Sequence, residues 1–141
     1  MASKTHHLDS LKNVSLFSNC SKKELEKVAK ASDEVTMTAG TLIADQGQMG
    51  REAFVVLEGE VTVKRNGRKV TNLGPGDVVG EMSLLDKGPR TASVIAATDV
   101  TLLVIDSRRF LSVIDDIPSI SHKLLASLAG RIREFDRQTF G

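Results

Sequence analysis

The sequence is 141 residues long, which fits a single domain that can bury its own core without disulfide or metal staples. Its 19 Lys and Arg residues nearly balance its 18 Asp and Glu residues, so bulk charge gives no reason to expect binding to nucleic acid or membranes. A hydrophobic content of 40% argues against disorder, the single cysteine, Cys20, fits a reducing cytoplasm, and no apolar run approaches the ~20 residues of a membrane span.

The first predicted elements are helices within residues 8–31. Ser21 followed by Glu24 has the spacing of a capping box, in which each residue satisfies a backbone N–H of the other. Apolar residues then recur at helical spacing. His6 and His7 precede this region in a polar stretch that we expect to be unordered.

Residues 35–106 predict a series of short strands. Asn66-Gly67 is the strongest hairpin signal among them, because both residues tolerate positive φ. Many short strands separated by turns predict a mainly β fold, an antiparallel roll or barrel with flanking helices. The expected strands are Val35–Thr38, Thr41–Ala44, Phe54–Leu57, Glu60–Arg65, Arg68–Leu73, Thr91–Ala97 and Val100–Ile105.

Residues 107–138 return to a helical pattern. Ser107 is the predicted cap of a helix over Arg108–Ile114, and Pro118 suits the first turn of a last helix. Apolar residues in that last helix recur at steps of three and four and predict one packed stripe. The stripe consists of Ile120, Leu124, Leu128, Ile132 and Phe135.

Residues 80–91 interrupt the strand pattern. Gly80 opens a single helical turn, which Gly88-Pro89 ends before Arg90 and Thr91. A helix start offers unpaired N–H groups, and an arginine offers a fork of donors that matches two phosphate oxygens. The carboxylate of Glu81 would repel an anion, but it is a good acceptor for a hydroxyl. An anion clamp beside a hydroxyl acceptor indicates a site for a sugar phosphate.

At this point the sequence resembles the cyclic-nucleotide-binding domain family. The family includes the bacterial catabolite activator proteins, the regulatory subunits of protein kinase A and the cyclic-nucleotide-gated channels. Its phosphate-binding cassette is similar to Val79-Gly80-Glu81-Met82-Ser83-Leu84 followed by Pro89-Arg90-Thr91-Ala92, although the family often has an aromatic residue where Val79 stands. Leu57-Glu58-Gly59 and Leu73-Gly74-Pro75-Gly76-Asp77 match upstream features of the family, and the resemblance extends over residues 8–140.

The resemblance implies an antiparallel, jelly-roll-like β-roll with N-terminal helices, a short cassette helix and C-terminal helices. It implies ligand contacts from Gly80, Glu81, Met82, Ser83, Arg90 and Thr91. Glu81, helped by the Gly80 backbone, would hold the ribose 2′-hydroxyl. The Ser83 N–H and the Arg90 guanidinium would hold the cyclic phosphate, with the Thr91 hydroxyl near phosphate and base.

The resemblance also implies that the last helix, here Pro118–Gln138, moves over the base when the ligand binds. Arg131, Phe135 and Asp136 are its candidate base contacts. We therefore expect a cytoplasmic sensor of cyclic AMP or cyclic GMP with no metal and no catalytic residues. Its signal would pass by helix movement to a protein effector. Prevalence in the family favours cyclic AMP.

Other interpretations remain open. Glu81 and Arg90 would also fit a structural ion pair, and the same fold without its ligand would serve as a protein-interaction module. A metal enzyme of the cupin type needs convergent histidines, but none of the three histidines lies on a predicted strand. Direct DNA binding is not expected, since 35 residues follow Asp106 and the predicted helices use them. Whether the chain is one sensor domain, residues 1–141, or a piece of a longer protein stays undecided.

Overall fold

A computed structural model describes residues 4–140 of the chain, with side chains described from His7 to Thr139. It has two four-stranded antiparallel sheets with helices at both ends of the chain, which confirms the predicted β-roll. In the first sheet the strand order is β1-β8-β3-β6, and in the second it is β2-β7-β4-β5. The strands are β1 Ser32–Met37, β2 Leu42–Ala44, β3 Glu52–Glu58, β4 Val61–Arg65, β5 Arg68–Leu73, β6 Val78–Val79, β7 Ser93–Ala96 and β8 Val100–Asp106. The helices are α1 Lys4–Lys12, α2 Lys22–Lys30, α3 Ser107–Asp116 and α4 Pro118–Phe140, with 3₁₀ helices at Ser15–Phe17 and Glu81–Leu84.

Local sequence signals explain most of these boundaries. The capping box at the start of α2 is confirmed, since Ser21 Oγ accepts from the Glu24 N–H and Glu24 Oε1 accepts from the Ser21 N–H. Asn66 and Gly67 both have positive φ in the β4–β5 turn, as the hairpin signal predicts.

Two local predictions need correction, and one strand, β6, was not predicted. The cap of α3 is Asp106, not Ser107: its carboxylate accepts from the Arg109 N–H at 3.1 Å, and Ser107 is already helical. The two-residue strand β6 is too short to give a periodic signal. Helix α1 begins at Lys4, inside the stretch expected to be unordered, because the helix buries Leu11 in the core.

Strand β3 divides the core into two parts. Its side chains alternate between the two faces of the first sheet. Val55 and Leu57 pack with the helices, whereas Phe54 and Val56 pack inside the roll. Both faces of this strand are therefore buried, which explains its continuous apolar sequence.

Helix α4 packs only along its first half. Ile120 and Leu124 are buried, but Ile132 and Phe135 are each 65% exposed. The predicted stripe is thus correct at its start and wrong at its end, because α3 and the 3₁₀ helix at Ser15–Phe17, which α4 contacts, do not cover its last turns.

Buried Glu24 fastens α4 to α2. The carboxylate of Glu24 accepts from Ser119 Oγ at 2.6 Å and forms an ion pair with Lys123. Burial raises the pKa of Glu24, but the hydrogen bonds from Lys123, Ser119 and Ser21 outweigh it and lower the pKa to about 2. The N-terminal part of α4 is therefore attached to α2 by an ion pair and a hydrogen bond.

Candidate functional site

A cavity of about 560 Å³ lies inside the roll, between the β4–β5 hairpin and residues 78–94. Its volume falls in the range of small-molecule sites. All six cassette residues that are predicted to contact a ligand line this cavity: Gly80, Glu81, Met82, Ser83, Arg90 and Thr91. A second cavity of about 520 Å³, between α2 and α3, is lined by none of them.

Gly80 brings the cassette backbone close to Arg90. Its φ of 73° lies in the left-handed region, where a side chain is strained. A Cβ at this position would collide with Nη1 of Arg90 and would lie 3.1 Å from the carbonyl oxygen of Glu52. Only glycine allows the 3₁₀ helix at Glu81–Leu84, here called the cassette helix, to start directly beside the guanidinium.

Arg90 is a half-buried cation held by neutral groups. Its Nη2 donates to the Glu52 carbonyl at 2.9 Å and its Nη1 to Ser83 Oγ at 3.3 Å, while the guanidinium lies 5.5 Å from the ring centre of Phe54. It forms no ion pair with any carboxylate of the described residues. Burial lowers the pKa of Arg90, and the charge of Glu52 acts in the opposite direction. A half-buried guanidinium without a counterion, facing a cavity, is suited to receive an anion.

Glu81 is paired, but not with Arg90. Its Oε1 forms an ion pair with Nη2 of Arg131 on α4, and its Oε2 accepts a long hydrogen bond of 3.4 Å from the Leu16 N–H. A structural Glu81–Arg90 pair is therefore absent from the described contacts. Arg131 also donates from Nε to Ser15 Oγ at 3.1 Å and contacts the sulfur of Met82 at 3.2 Å. Glu81 thus connects the cavity to α4 and to the N-terminal 3₁₀ helix.

The remaining cassette residues offer different groups to a ligand. The Ser83 N–H, expected to bind phosphate, donates to the Gly80 carbonyl at 2.9 Å, so an anion would have to compete for it or use the hydroxyl. Thr91 is exposed at the cavity edge, where its carbonyl accepts from Arg65 Nε at 3.1 Å. Its hydroxyl has no hydrogen-bond partner among the described residues.

The candidate base contacts on α4 behave differently from the cassette. Arg131 forms an ion pair with Glu81, while Phe135 and Asp136 are exposed and do not line the cavity. In this structure the last turns of α4 do not cover the cavity, and the expected movement of this helix over the base on ligand binding stays a prediction. The main contacts of α4 are with α3 and with the 3₁₀ helix at Ser15–Phe17.

Two residues near the site were not identified from the sequence. A Cβ on buried Gly50 would lie 2.7 Å from Ser83 Oγ and 2.8 Å from Arg90 Nε, so this glycine makes room for the guanidinium. Arg65, on β4, lines the cavity beside Thr91. A glycine after a turn and an arginine at a strand end carry no local signal of such roles.

Within residues 4–140, no group of three or more His, Cys, Asp and Glu residues is arranged to hold a metal ion. None of the helices in that range has both the length and the hydropathy of a membrane span.

A family model and the sequences of known proteins both show similarity to this chain. The sequence model described as "Cyclic nucleotide-binding domain" matches residues 34–116. The cyclic AMP receptor protein of Thermus thermophilus is 34% identical over 89% of this chain and 61% of its own length. The cGMP-dependent protein kinase egl-4 of Caenorhabditis briggsae is 28% identical over 99% of this chain and 19% of its own length.

Solved structures agree with this assignment. The N-terminal domain of a transcriptional regulator from Streptomyces coelicolor superposes with a TM-score of 0.87 at 30% identity, covering 94% of this chain and 96% of that one. The chain spans less than two thirds of the length of the curated relatives named above.

Proposed function

Because this chain belongs to the cyclic nucleotide-binding domain family, we propose that it is a sensor module that binds a cyclic nucleoside monophosphate and has no catalytic activity of its own. One observation carries the proposal. Arg90 is half-buried, faces a cavity of about 560 Å³ and has no carboxylate partner among the described residues. The anionic phosphate of a nucleotide would supply the missing counterion.

In the proposed complex the ribose and the phosphate occupy the cassette side of the cavity. Arg90 and the Ser83 hydroxyl hold the phosphate, with Gly80 allowing its close approach. A carboxylate has about four acceptor positions. Glu81 therefore accepts the ribose 2′-hydroxyl while it stays paired with Arg131.

The contact between Glu81 and Arg131 is the proposed route of the signal. A nucleotide that orders the Glu81 carboxylate also strengthens the attachment of α4, because the same carboxylate holds Arg131. Nucleotide binding and attachment of α4 are then coupled: each makes the other more favourable, and by the same free energy. We expect the effector to be a protein that senses α4, in the cytoplasm, without direct contact of this chain with DNA or membrane.

Calorimetric titration with cyclic AMP, cyclic GMP and their 2′-deoxy analogues tests the binding site. The wild-type protein is expected to bind the 2′-deoxy analogues more weakly, because the carboxylate then loses its hydroxyl partner. In Glu81→Ala this discrimination should largely disappear. If the wild-type protein binds no cyclic nucleotide, the sensor proposal is wrong and a ligand-free interaction module becomes the better interpretation.

Hydrogen exchange tests the route of the signal. Adding nucleotide to the wild-type protein should increase protection within Pro118–Gln138. Arg131→Met should remove this added protection and weaken binding by about fivefold, since the pair is partly exposed. Arg133→Met is the matched control, because Arg133 is an exposed arginine on the same helix. Equal ligand-induced protection in both variants would exclude Arg131 from the route.

A further inference from the structure

Arg65 is a charged residue of the cavity that the proposed phosphate and ribose contacts leave unused. The charged side chains that line the cavity are Arg65, Glu81, Asp86 and Arg90. In the proposed complex Glu81 binds the ribose and Arg90 binds the phosphate, while Asp86 lies just after the cassette helix. Arg65 stands instead at the end of β4, on the wall formed by the β4–β5 hairpin.

The structure holds Arg65 in a defined position relative to the cassette. Its Nε donates to the Thr91 carbonyl at 3.1 Å, which leaves both terminal nitrogens without a partner among the described residues. The hairpin turn is fixed as well: the Gln46 amide accepts from the Asn66 N–H at 2.8 Å and donates to the Asn66 side chain at 2.9 Å. The loop that carries Gln46 also bonds to the backbone of Arg90, through Gln48 at 2.7 Å.

The same wall is apolar deeper in the cavity. Val63 and Leu73 line it, and Val63 shares the Arg65 face of β4 because the two residues are two positions apart. With the phosphate at Arg90 and the ribose at Glu81, the base is left to pack on this apolar wall. In the proposed complex the outer edge of the base would then lie toward Arg65, which lines the same cavity at the end of β4.

We propose that Arg65 determines base specificity and selects guanine over adenine; this rests on the proposed function of the cavity as a cyclic-nucleotide site. A guanidinium only donates hydrogen bonds. Guanine presents two acceptors side by side, O6 and N7, whereas adenine replaces O6 with an amino donor that faces the arginine unfavourably. The wild-type protein therefore prefers cyclic GMP, by about 5- to 150-fold if the contact is bidentate.

The test compares the affinities of cyclic GMP, cyclic AMP and cyclic IMP in four proteins. Cyclic IMP keeps O6 and N7 but lacks the 2-amino group, so it should follow cyclic GMP in the wild-type protein. Arg65→Met should weaken cyclic GMP and cyclic IMP about fivefold or more and leave cyclic AMP nearly unchanged. Arg65→Lys should recover only part of the loss, since it keeps the charge without the fork.

Arg68→Met is the matched control: it removes an exposed charge from the same hairpin without touching the cavity lining, and it should change no affinity. Equal losses for all three nucleotides in Arg65→Met would assign Arg65 to the phosphate and overturn the proposal. A wild-type preference for cyclic AMP would also overturn it, yet would leave the sensor function intact. Binding of none of the three would refute the sensor function itself.

Discussion

Gly50→Ala is expected to damage the binding site without unfolding the protein. The Cβ of an alanine would lie 2.7 Å from Ser83 Oγ and 2.8 Å from Arg90 Nε, where ordinary contacts begin at 3.4 Å. Something must therefore move by about 0.7 Å. The backbone of Gly50 is held, since its N–H donates to the Gly88 carbonyl at 2.9 Å. The atoms that yield are the two side-chain ends, and these are the proposed phosphate ligands.

The size of the effect follows from what is lost. A displaced Arg90 forfeits about one hydrogen bond to a charged group, about 1.5–3 kcal/mol, which corresponds to roughly 10- to 150-fold in Kd. The stability should change little, because flexible side-chain ends absorb the clash and the φ of Gly50 is not in the left-handed region. Calorimetric titration measures the affinity, and thermal unfolding without ligand measures the stability.

Gly74→Ala is the control for this experiment. Its φ is also outside the left-handed region, and a Cβ there would meet nothing within 4 Å. It should bind nucleotide like the wild-type protein. Affinity in Gly50→Ala within about threefold of the wild type, at unchanged stability, would mean that the observed position of Arg90 is not the one that binds phosphate.

Three further predictions concern single side chains. Arg90→Ala should weaken nucleotide binding by about 2–5 kcal/mol, with lysine restoring only part of it, and a calorimetric loss below about threefold would contradict the phosphate role. Thr91→Ala should weaken cyclic GMP and cyclic AMP equally if its free hydroxyl serves the phosphate, whereas a loss for one nucleotide alone would indicate contact with the base. The pKa of Glu24 is about 2 in the folded protein and near 4.5 when unfolded, so its contribution, about 3 kcal/mol at most, is complete above pH 4.5 and lost as the pH falls toward 2. Glu24→Gln should lack this part of the acid dependence in denaturant titrations, and identical acid profiles would refute the assignment.

Features that depend on a few neighbouring residues were predicted well from the sequence. The β4–β5 hairpin is an example, because the positive φ of Asn66 and Gly67 is a property of those two residues alone. The cassette is another. Gly80, Glu81 and Arg90 lie within eleven consecutive residues, so the chain can hardly separate them, and their chemistry can be interpreted from their order.

Contacts between segments that are distant in the chain were harder to predict from the sequence. Arg131 was a candidate base contact, and its ion pair with Glu81, fifty residues earlier in the chain, was not predicted. Phe135 belonged to a periodic stripe that predicts burial, but periodicity says only which face of a helix is apolar and not how far a partner extends along it.

The sequence by itself determined the β4–β5 hairpin, the capping box of α2 and the order of Gly80, Glu81 and Arg90 in the cassette, because each depends on residues close together in the chain. Only the tertiary structure decided that Gly50 makes room for Arg90, that Arg65 stands beside Thr91, and that α4 is anchored through Glu24 and Glu81. These contacts join segments that are 26 to 99 residues apart. Their geometry is set by how the two sheets and the helices pack, and no local pattern encodes it.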